Sequence, residues 1–315
     1  ANYYRFNFTK DDNPSSHWSY LYSIIQNCNL ILMNIDKLVI DEDDKAYRDD
    51  LKGEALAIRG LALFDLTRIF GYPYLKDNGA SLGVPIIEGL STIDSKPTRN
   101  TVAQCYTKII DDLTQSLSLL GEKFNKGKIN KWGAMVLLSR VYLYKGENAN
   151  ALKMASDAII GAEKNKYALW TNEDYPTAWG EDASASKPGE VLFEIVNLTT
   201  DSPGKESMGY LNSYDGYDDM CITCSFYQFL KEDPKDIRLK LLSFDKKYYA
   251  YVNKYQPQRE ENIEDANIPL IRLSEAYLNA AEAAVKENDN DAAVKYLDPI
   301  VKRANPDNTV VGQTI

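Results

Sequence analysis

The chain has 315 residues, with 36 Lys or Arg against 46 Asp or Glu, for a formal net charge of −10. That balance repels a phosphate backbone and argues against a nucleic-acid partner, while an uncharged ligand would not feel the field. With 44% hydrophobic and 26% charged residues the composition is that of a chain able to bury a core, and no apolar run approaches the roughly 18 residues needed to span a bilayer.

The first helical pattern follows Ser16, a possible cap, and carries Trp18, Leu21, Tyr22, Ile25, Cys28 and Leu32 at three- and four-residue steps. After the acidic stretch 41–44 a second long helix places Tyr47, Leu51, Ala55, Ile58, Ala62, Leu66 and Ile69 on one face, and ends at Gly71-Tyr72-Pro73. Residues 71–98 read as a loop punctuated by Gly79, Gly83, Pro85, Gly89 and Pro97. Thr98 or Asn100 is expected to cap the next helix, which carries Val102, Tyr106, Ile109, Leu113 and Leu117. Two further helices are expected at about 130–144 and 148–162. Trp18 and Trp132, both within helical patterns, read as core residues.

From Tyr167 to about Ala266 the periodicity fades, and Gly, Pro, Ser, Asp and aromatics dominate around one strand-like run at 191–196. A structureless loop of that length is improbable in a compact domain, so this is read as an irregular insertion with short elements of its own. Helical order is expected again from Ile268 to Lys286 and, after Asn288-Asp289-Asn290, from about 291 to 303, followed by a polar, mobile tail.

An internal repeat is visible in the spacing. Ser139, Tyr142, Ala151, Ala155 and Ala158 follow steps of 3, 9, 4 and 3; Ala281, Ala284, Ala293, Leu297 and Ile300 repeat the same steps. Small residues at such positions let two antiparallel helices of a tetratricopeptide-type hairpin approach closely, and stacked hairpins bury faces that one hairpin cannot. The fold expected is therefore all-α, a tetratricopeptide-type helical hairpin solenoid with a long irregular insertion.

Four cysteines are present. Cys28 and Cys105 fall on apolar helical positions and read as small core residues. Cys221 and Cys224 form one CxxC, which with a lone His17 makes a poor zinc site; a local disulfide or two ordinary thiols are the remaining readings.

Ordered blocks of sequence carry a more specific signal. Gly53-Glu54-Ala55, Arg59, Phe64, Leu66, Phe70-Gly71, Pro73-Tyr74 and Gly83-Val84-Pro85-Ile86 resemble the long second helix and following loop of SusD-like (RagB/SusD) proteins. Residues 130–134 and 137–144 resemble that family's central repeat helix, and 268–283, with Arg272-Leu273-Ser274-Glu275-Ala276-Tyr277-Leu278, its late helix. Trp18, Leu21, Tyr22, Ile25, Cys28 and Asn29 fit the opening. The resemblance implies one SusD-like domain over 1–315, with helical repeats at about 16–163 and 268–303 and a ligand-face insertion at about 167–266. It also implies an outer-membrane, cell-surface lipoprotein that binds an oligosaccharide or polysaccharide. The ligand would pass to a SusC-like TonB-dependent transporter. The anchor Cys is not in this chain, whose polar start reads as a trimmed mature protein, and the family's segments beyond the position of Arg303 are not found. A peptide-binding RagB-like protein and a helical-repeat protein–protein scaffold are the alternatives.

A sugar offers a flat apolar face ringed by hydroxyls, so its site needs an aromatic platform and a few orienting polar groups. Aromatics outside helical periodicity supply the candidates: Trp179, Tyr214 and Tyr217 first, then Trp170, Tyr175 and Tyr210. Asn212 and Asp215 are the leading polar partners, with Asn172, Asp174 and Asp218 nearby. The acidic run 215–219 lacks the ligand spacing of an EF-hand and reads as a solvated turn. No GxxxxGK or GxGxxG motif is present, and one histidine leaves hydrolase triads and His-rich metal sites little to build on. The expectation is a binding protein, not an enzyme, without cofactor or metal.

Overall fold

The computed structural model describes residues 15–313 apart from 93, 126, 181–188, 199, 214, 218–219, 245–248 and 258–261. The chain folds as two compact units, Ala1–Leu120 and Gly121–Ile315.

In the first unit, α1 (Ser15–Asn34) and α3 (Val102–Leu117) both pack on α2 (Lys45–Phe70). Most of the apolar stripes read from the sequence form the core, with Ile25, Ala55, Ala62, Leu66, Ile109 and Leu113 buried, and Leu63 and Phe64 join them. Burying each such side chain stabilises by about 1.5–3 kcal/mol. Tyr47 and Ile69, near the two ends of α2, are exposed instead. Ser16 lies within α1, which begins one residue earlier. The cap of α3 is Thr101, reciprocated by Gln104 in a capping box, and not Thr98 or Asn100. Asn100 is occupied elsewhere: its Oδ1 accepts from the Ile86 amide at 2.9 Å, pinning the loop that follows α2.

Arg59 is the polar centre of this unit. It donates two hydrogen bonds to the Asp112 carboxylate, at 2.8 and 2.7 Å, and one to Asn29 Oδ1 at 2.8 Å. Asn29 in turn donates to the carbonyls of Ile87 and Gly89, so α1, α2, α3 and the loop share one buried network. A buried carboxylate is tolerated only when its charge and lone pairs are met, and here Lys108 at 3.1 Å adds to Arg59.

The second unit begins with the hairpin α4 (Lys131–Lys145) and α5 (Asn148–Lys164). Asn130 caps α4 by accepting from the Gly133 amide at 3.0 Å. The irregular segment then contributes β1 (Val191–Ile195), α6 (Met208–Asn212), α7 (Cys224–Lys231), β2 (Leu242–Phe244) and β3 (Ala250–Val252). The chain returns through β4 (Ile268–Arg272) into the hairpin α8 (Leu273–Lys286) and α9 (Asn290–Ala304). Packing runs α4 on α5, α5 on α8 and α8 on α9, the stacking of a tetratricopeptide-type array. The architecture is the helical one expected.

The repeat positions sit at these contacts. Ser139, Ala151, Ala155, Ala158, Ala281, Ala284 and Ala293 are buried, while Tyr142, Leu297 and Ile300 are partly exposed. The hairpins are further tied by Asn279 donating to Ser139 Oγ at 2.9 Å and by Arg140 bound to both oxygens of Glu275 at 2.5 and 2.7 Å.

Two expectations are corrected. Residues 268–272 form a strand, antiparallel to β1, rather than the first turn of α8. Pro269 cannot donate a helical hydrogen bond, and the β-branched Ile268 and Ile271 suit a pleated ribbon. The tail after Asn305 is tethered: Asn305 donates to both oxygens of Asp233, and Thr309 Oγ1 and the Val310 amide both donate to Asp298 Oδ1. All four cysteines are free thiols, Cys28 and Cys105 buried, Cys221 and Cys224 exposed. No helix among the described residues is long and apolar enough to cross a membrane.

Candidate functional site

The irregular segment must bury something of its own to hold a shape, and its loop aromatics do this. Trp170, Tyr175 and Trp179 form one cluster, with ring centroids 5.0–6.1 Å apart in edge-on pairs. They pack with Ala178, Val191, Ile237 and Leu241, and only 4–8% of each of the three aromatics remains exposed. Their faces are covered by neighbours, not open to solvent as a bare platform.

Tyr210 and Tyr217 are arranged differently. Their centroids lie 5.0 Å apart at 80°, and Tyr217 is 44% exposed. The pairing depends on Gly216, where an added Cβ would fall 1.9 Å from the Tyr210 carbonyl oxygen, so only glycine permits the approach. Asp215 is exposed on the same turn, its amide donating to Ser213 Oγ. Asn212 spends its amide on the Met208 carbonyl, Asn172 on the carbonyls of Arg303 and Ala304, and Asp174 accepts from Thr171. Tyr214 and Asp218 lie outside the described residues. Among the described residues no His, Cys, Asp or Glu cluster could hold a metal.

Cations wrap the buried aromatic cluster. Arg272 lies 4.7 Å from the Trp179 ring centroid and 5.9 Å from that of Trp170; Lys254 lies 4.9 Å from Trp179, and Arg303 4.8 Å from Tyr175. The carboxylate of Glu190, with no exposure, accepts from Arg272 at 2.8 Å, from Arg303 at 2.5 Å and from the Trp170 amide at 3.0 Å. Arg238 is held by Asp236. Burial and the charges of Arg272, Arg238 and Arg303 push the Lys254 ammonium down to about 8.

Of these residues Tyr175, Asp236, Arg238, Lys254 and Arg303 reach a cavity of about 530 Å³, which Phe229 and Asp233 also line. That volume is within the range of small-ligand sites, roughly 300–1,000 Å³. Phe229, from α7, is 61% exposed and gives the cavity an open aromatic ring. A smaller cavity of about 370 Å³ in the first unit is lined by Trp18, Tyr22, Gln26, Ser91 and Pro97. Trp18 is accordingly half-buried, not a full core residue, resting edge-on against Phe70 at 4.9 Å.

Two family profiles match the chain: one described as starch-binding and associating with the outer membrane over residues 2–143, and the SusD family over residues 235–314. A solved SusD superfamily protein from Bacteroides vulgatus is 39% identical, superposes with a TM-score of 0.86, and is matched over 94% of this chain and 68% of its own. The chain belongs to the SusD family. A provisionally assigned sugar-binding protein, also from Bacteroides vulgatus, is 80% identical with a TM-score of 0.97, over 100% of this chain and 70% of its own. The curated SusD-like protein of Bacteroides ovatus matches at 27% identity over 135 residues, 42% of this chain and 23% of that longer relative.

In this SusD family chain, reading the sequence alone misses Phe229, Arg238, Lys254 and Arg303. The spacing of Phe226, Phe229 and Leu230 is a short helical signal, but it falls inside a segment whose wider periodicity is lost. The three cations stand in separate segments, and nothing local to any of them announces that they converge.

Proposed function

We infer that this chain binds glycans at the cell surface and acts by capture rather than catalysis, with residues 1–315 forming one SusD-like domain of a lipid-anchored outer-membrane protein. The observation that carries this reading is the cavity of about 530 Å³ in the irregular segment, where the exposed ring of Phe229 stands beside Arg238, Lys254 and Asp233. A stacking surface with polar groups fixed around it is what recognition of a sugar ring requires. The 80%-identical relative's provisional sugar-binding assignment supports the same reading. Tyr217, braced by Tyr210, offers a second ring on which a longer glycan rests, with Asp215 on the same turn; Trp170, Tyr175 and Trp179 support the cavity from behind. Delivery to a SusC-like TonB-dependent transporter completes the proposal.

Isothermal titration against a panel of oligosaccharides tests it. Binding to at least one glycan is expected, weakened on the order of tenfold by Phe229→Ala, the loss of one stacking ring. No binding across the panel would overturn the glycan reading. The exposure of Phe226 and Phe229 together on α7 favours an apolar peptide as the second reading, and titration with such peptides separates the two. Retention of the protein on outer membranes that contain the partner transporter, and not on membranes lacking it, is the expected result for the delivery step.

A further inference from the structure

The first unit holds a cavity of a different chemistry. It has a volume of about 370 Å³ and lies between α1 and the loop that follows α2. Trp18, Tyr22 and Gln26, four residues apart on one face of α1, form one wall, and Pro85 and Ile87 belong to the other. The chain is 26% charged, yet no Asp, Glu, Lys, Arg or His is among the described residues that line this cavity. Its walls are fixed to each other. The Tyr22 hydroxyl donates to the Pro85 carbonyl at 2.7 Å, and Asn29, two turns further along α1, donates to the carbonyls of Ile87 and Gly89 at 2.8 and 3.0 Å. The Trp18 ring is held by Tyr22 and Phe70, each with its centroid 4.9 Å away, and stays half-buried. The side-chain amide of Gln26, also half-buried, makes no hydrogen bond among the described residues.

We propose that this cavity is a second binding site, for an uncharged saccharide, with Trp18 supplying the apolar ring and Gln26 the hydrogen bonds. The proposal rests on the glycan-binding reading for its class of ligand and adds a site in the other unit. An amide both donates and accepts, so one Gln26 side chain meets two neighbouring sugar hydroxyls, and the exposed Ser91 adds a hydroxyl of its own. A charged sugar would shed its water here and find no counter-ion, a cost that an uncharged one does not carry. Aromatic grooves also accept polyproline peptides. Here the Tyr22 hydroxyl is already committed to Pro85, and the polar group left over is an amide set among hydroxyls, which suits a sugar.

The test is isothermal titration of short uncharged oligosaccharides, and of their uronic-acid analogues, into wild-type, Gln26→Ala and Phe229→Ala proteins whose folding is checked by circular dichroism. Gln26 has no side-chain partner to lose, so Gln26→Ala is expected to keep the fold. At least one uncharged saccharide should bind with an affinity that follows Gln26→Ala rather than Phe229→Ala, falling on the order of tenfold, the worth of one or two hydrogen bonds. Its uronic-acid analogue should bind more weakly to the wild type. If no bound sugar responds to Gln26→Ala, or if the charged analogue binds as well as the uncharged one, this proposal is overturned and the glycan reading at the Phe229 cavity stands. A polyproline peptide that binds with dependence on Gln26, where no sugar does, would overturn it in the same way. Failure of the wild type to bind any sugar of the wider panel would overturn both.

Discussion

Arg303 and Glu190, 113 residues apart in sequence, meet with Arg303 Nη1 2.5 Å from Glu190 Oε2, a carboxylate with no solvent exposure. The contact joins the last turn of α9 to the residue before β1, and Arg272 closes the other side of the same carboxylate. One acid thus pairs with two cations at once. Replacing it by a neutral isostere leaves both guanidinium groups without their counter-ion in a desolvated place. Glu190→Gln is expected to lower the unfolding free energy by about 3–5 kcal/mol, the cost of breaking a buried pair from one side. Urea titration of wild type and variant checks this; a loss below about 1 kcal/mol, the worth of a surface pair, would show the contact to be solvent-screened.

Gly161, in α5, decides a case where helix propensity and packing disagree. Glycine to alanine inside a helix ordinarily stabilises by about 0.8–1 kcal/mol. Here the added Cβ would lie 2.1 Å from Trp132 Cζ3 and 2.4 Å from Cη2, and that ring is buried. Overpacking costs of about 1–3 kcal/mol outweigh the propensity gain, so Gly161→Ala should lower the melting temperature. In a Trp132→Leu background the clash is gone, and the same change should become neutral or stabilising. A double-mutant cycle by thermal unfolding reads the difference.

Lys254 makes a stability prediction independent of any ligand. Its folded value of about 8, set first by burial and then by Arg272, Arg238 and Arg303, lies below the roughly 10.4 of an unfolded lysine. Between these two values the unfolded chain binds the extra proton, so stability rises with pH; below about 8 both states are protonated and the full cost of the buried charge is present. Lys254→Met should therefore exceed wild type in stability at pH 7, with an advantage that shrinks as pH climbs from about 8 toward 10. Unfolding curves at several pH values test it. A difference that stays constant across the range would sink the idea.

The thiols divide in two. Burial raises Cys28 to about 11 and also pushes Cys105 up, so neither offers an accessible thiolate near neutrality. Cys221 and Cys224 are exposed. Titration with a thiol-reactive chromophore at pH 8 should label two groups in the native protein and four after denaturation. Rapid labelling of three or more without denaturant would show that α1 or α3 opens readily.

The helices were legible because their evidence is local. Apolar spacing along α2 and α3, the stop at Gly71-Tyr72-Pro73, and the two runs of small residues ending in Ala158 and Ile300 each report a constraint acting over a few turns. The resemblance built on Arg59, Arg140 and Glu275 was legible for the same reason, though the roles of these residues were not. Arg59 acts as the centre of the buried network in the first unit, and Arg140 with Glu275 joins α4 to α8.

Composition and periodicity by themselves determined an acidic, helical, repeat-built chain with an irregular segment near 167–266. Only the tertiary structure decided what that segment does. An aromatic residue in the irregular segment looks the same in sequence whether its ring ends up covered, as in Trp170 and Trp179, or open, as in Phe229 and Tyr217. Which outcome holds depends on what distant elements bring to it. The pairing of β1 with β4, which turned the expected start of a helix into a strand, sets Glu190 and Arg272 beside the cluster; α9 delivers Arg303, and the turn after β3 delivers Lys254. Hydrophobic burial is non-directional and sums over the whole chain, so the charges it gathers are a property of the closed structure and of no single stretch within it.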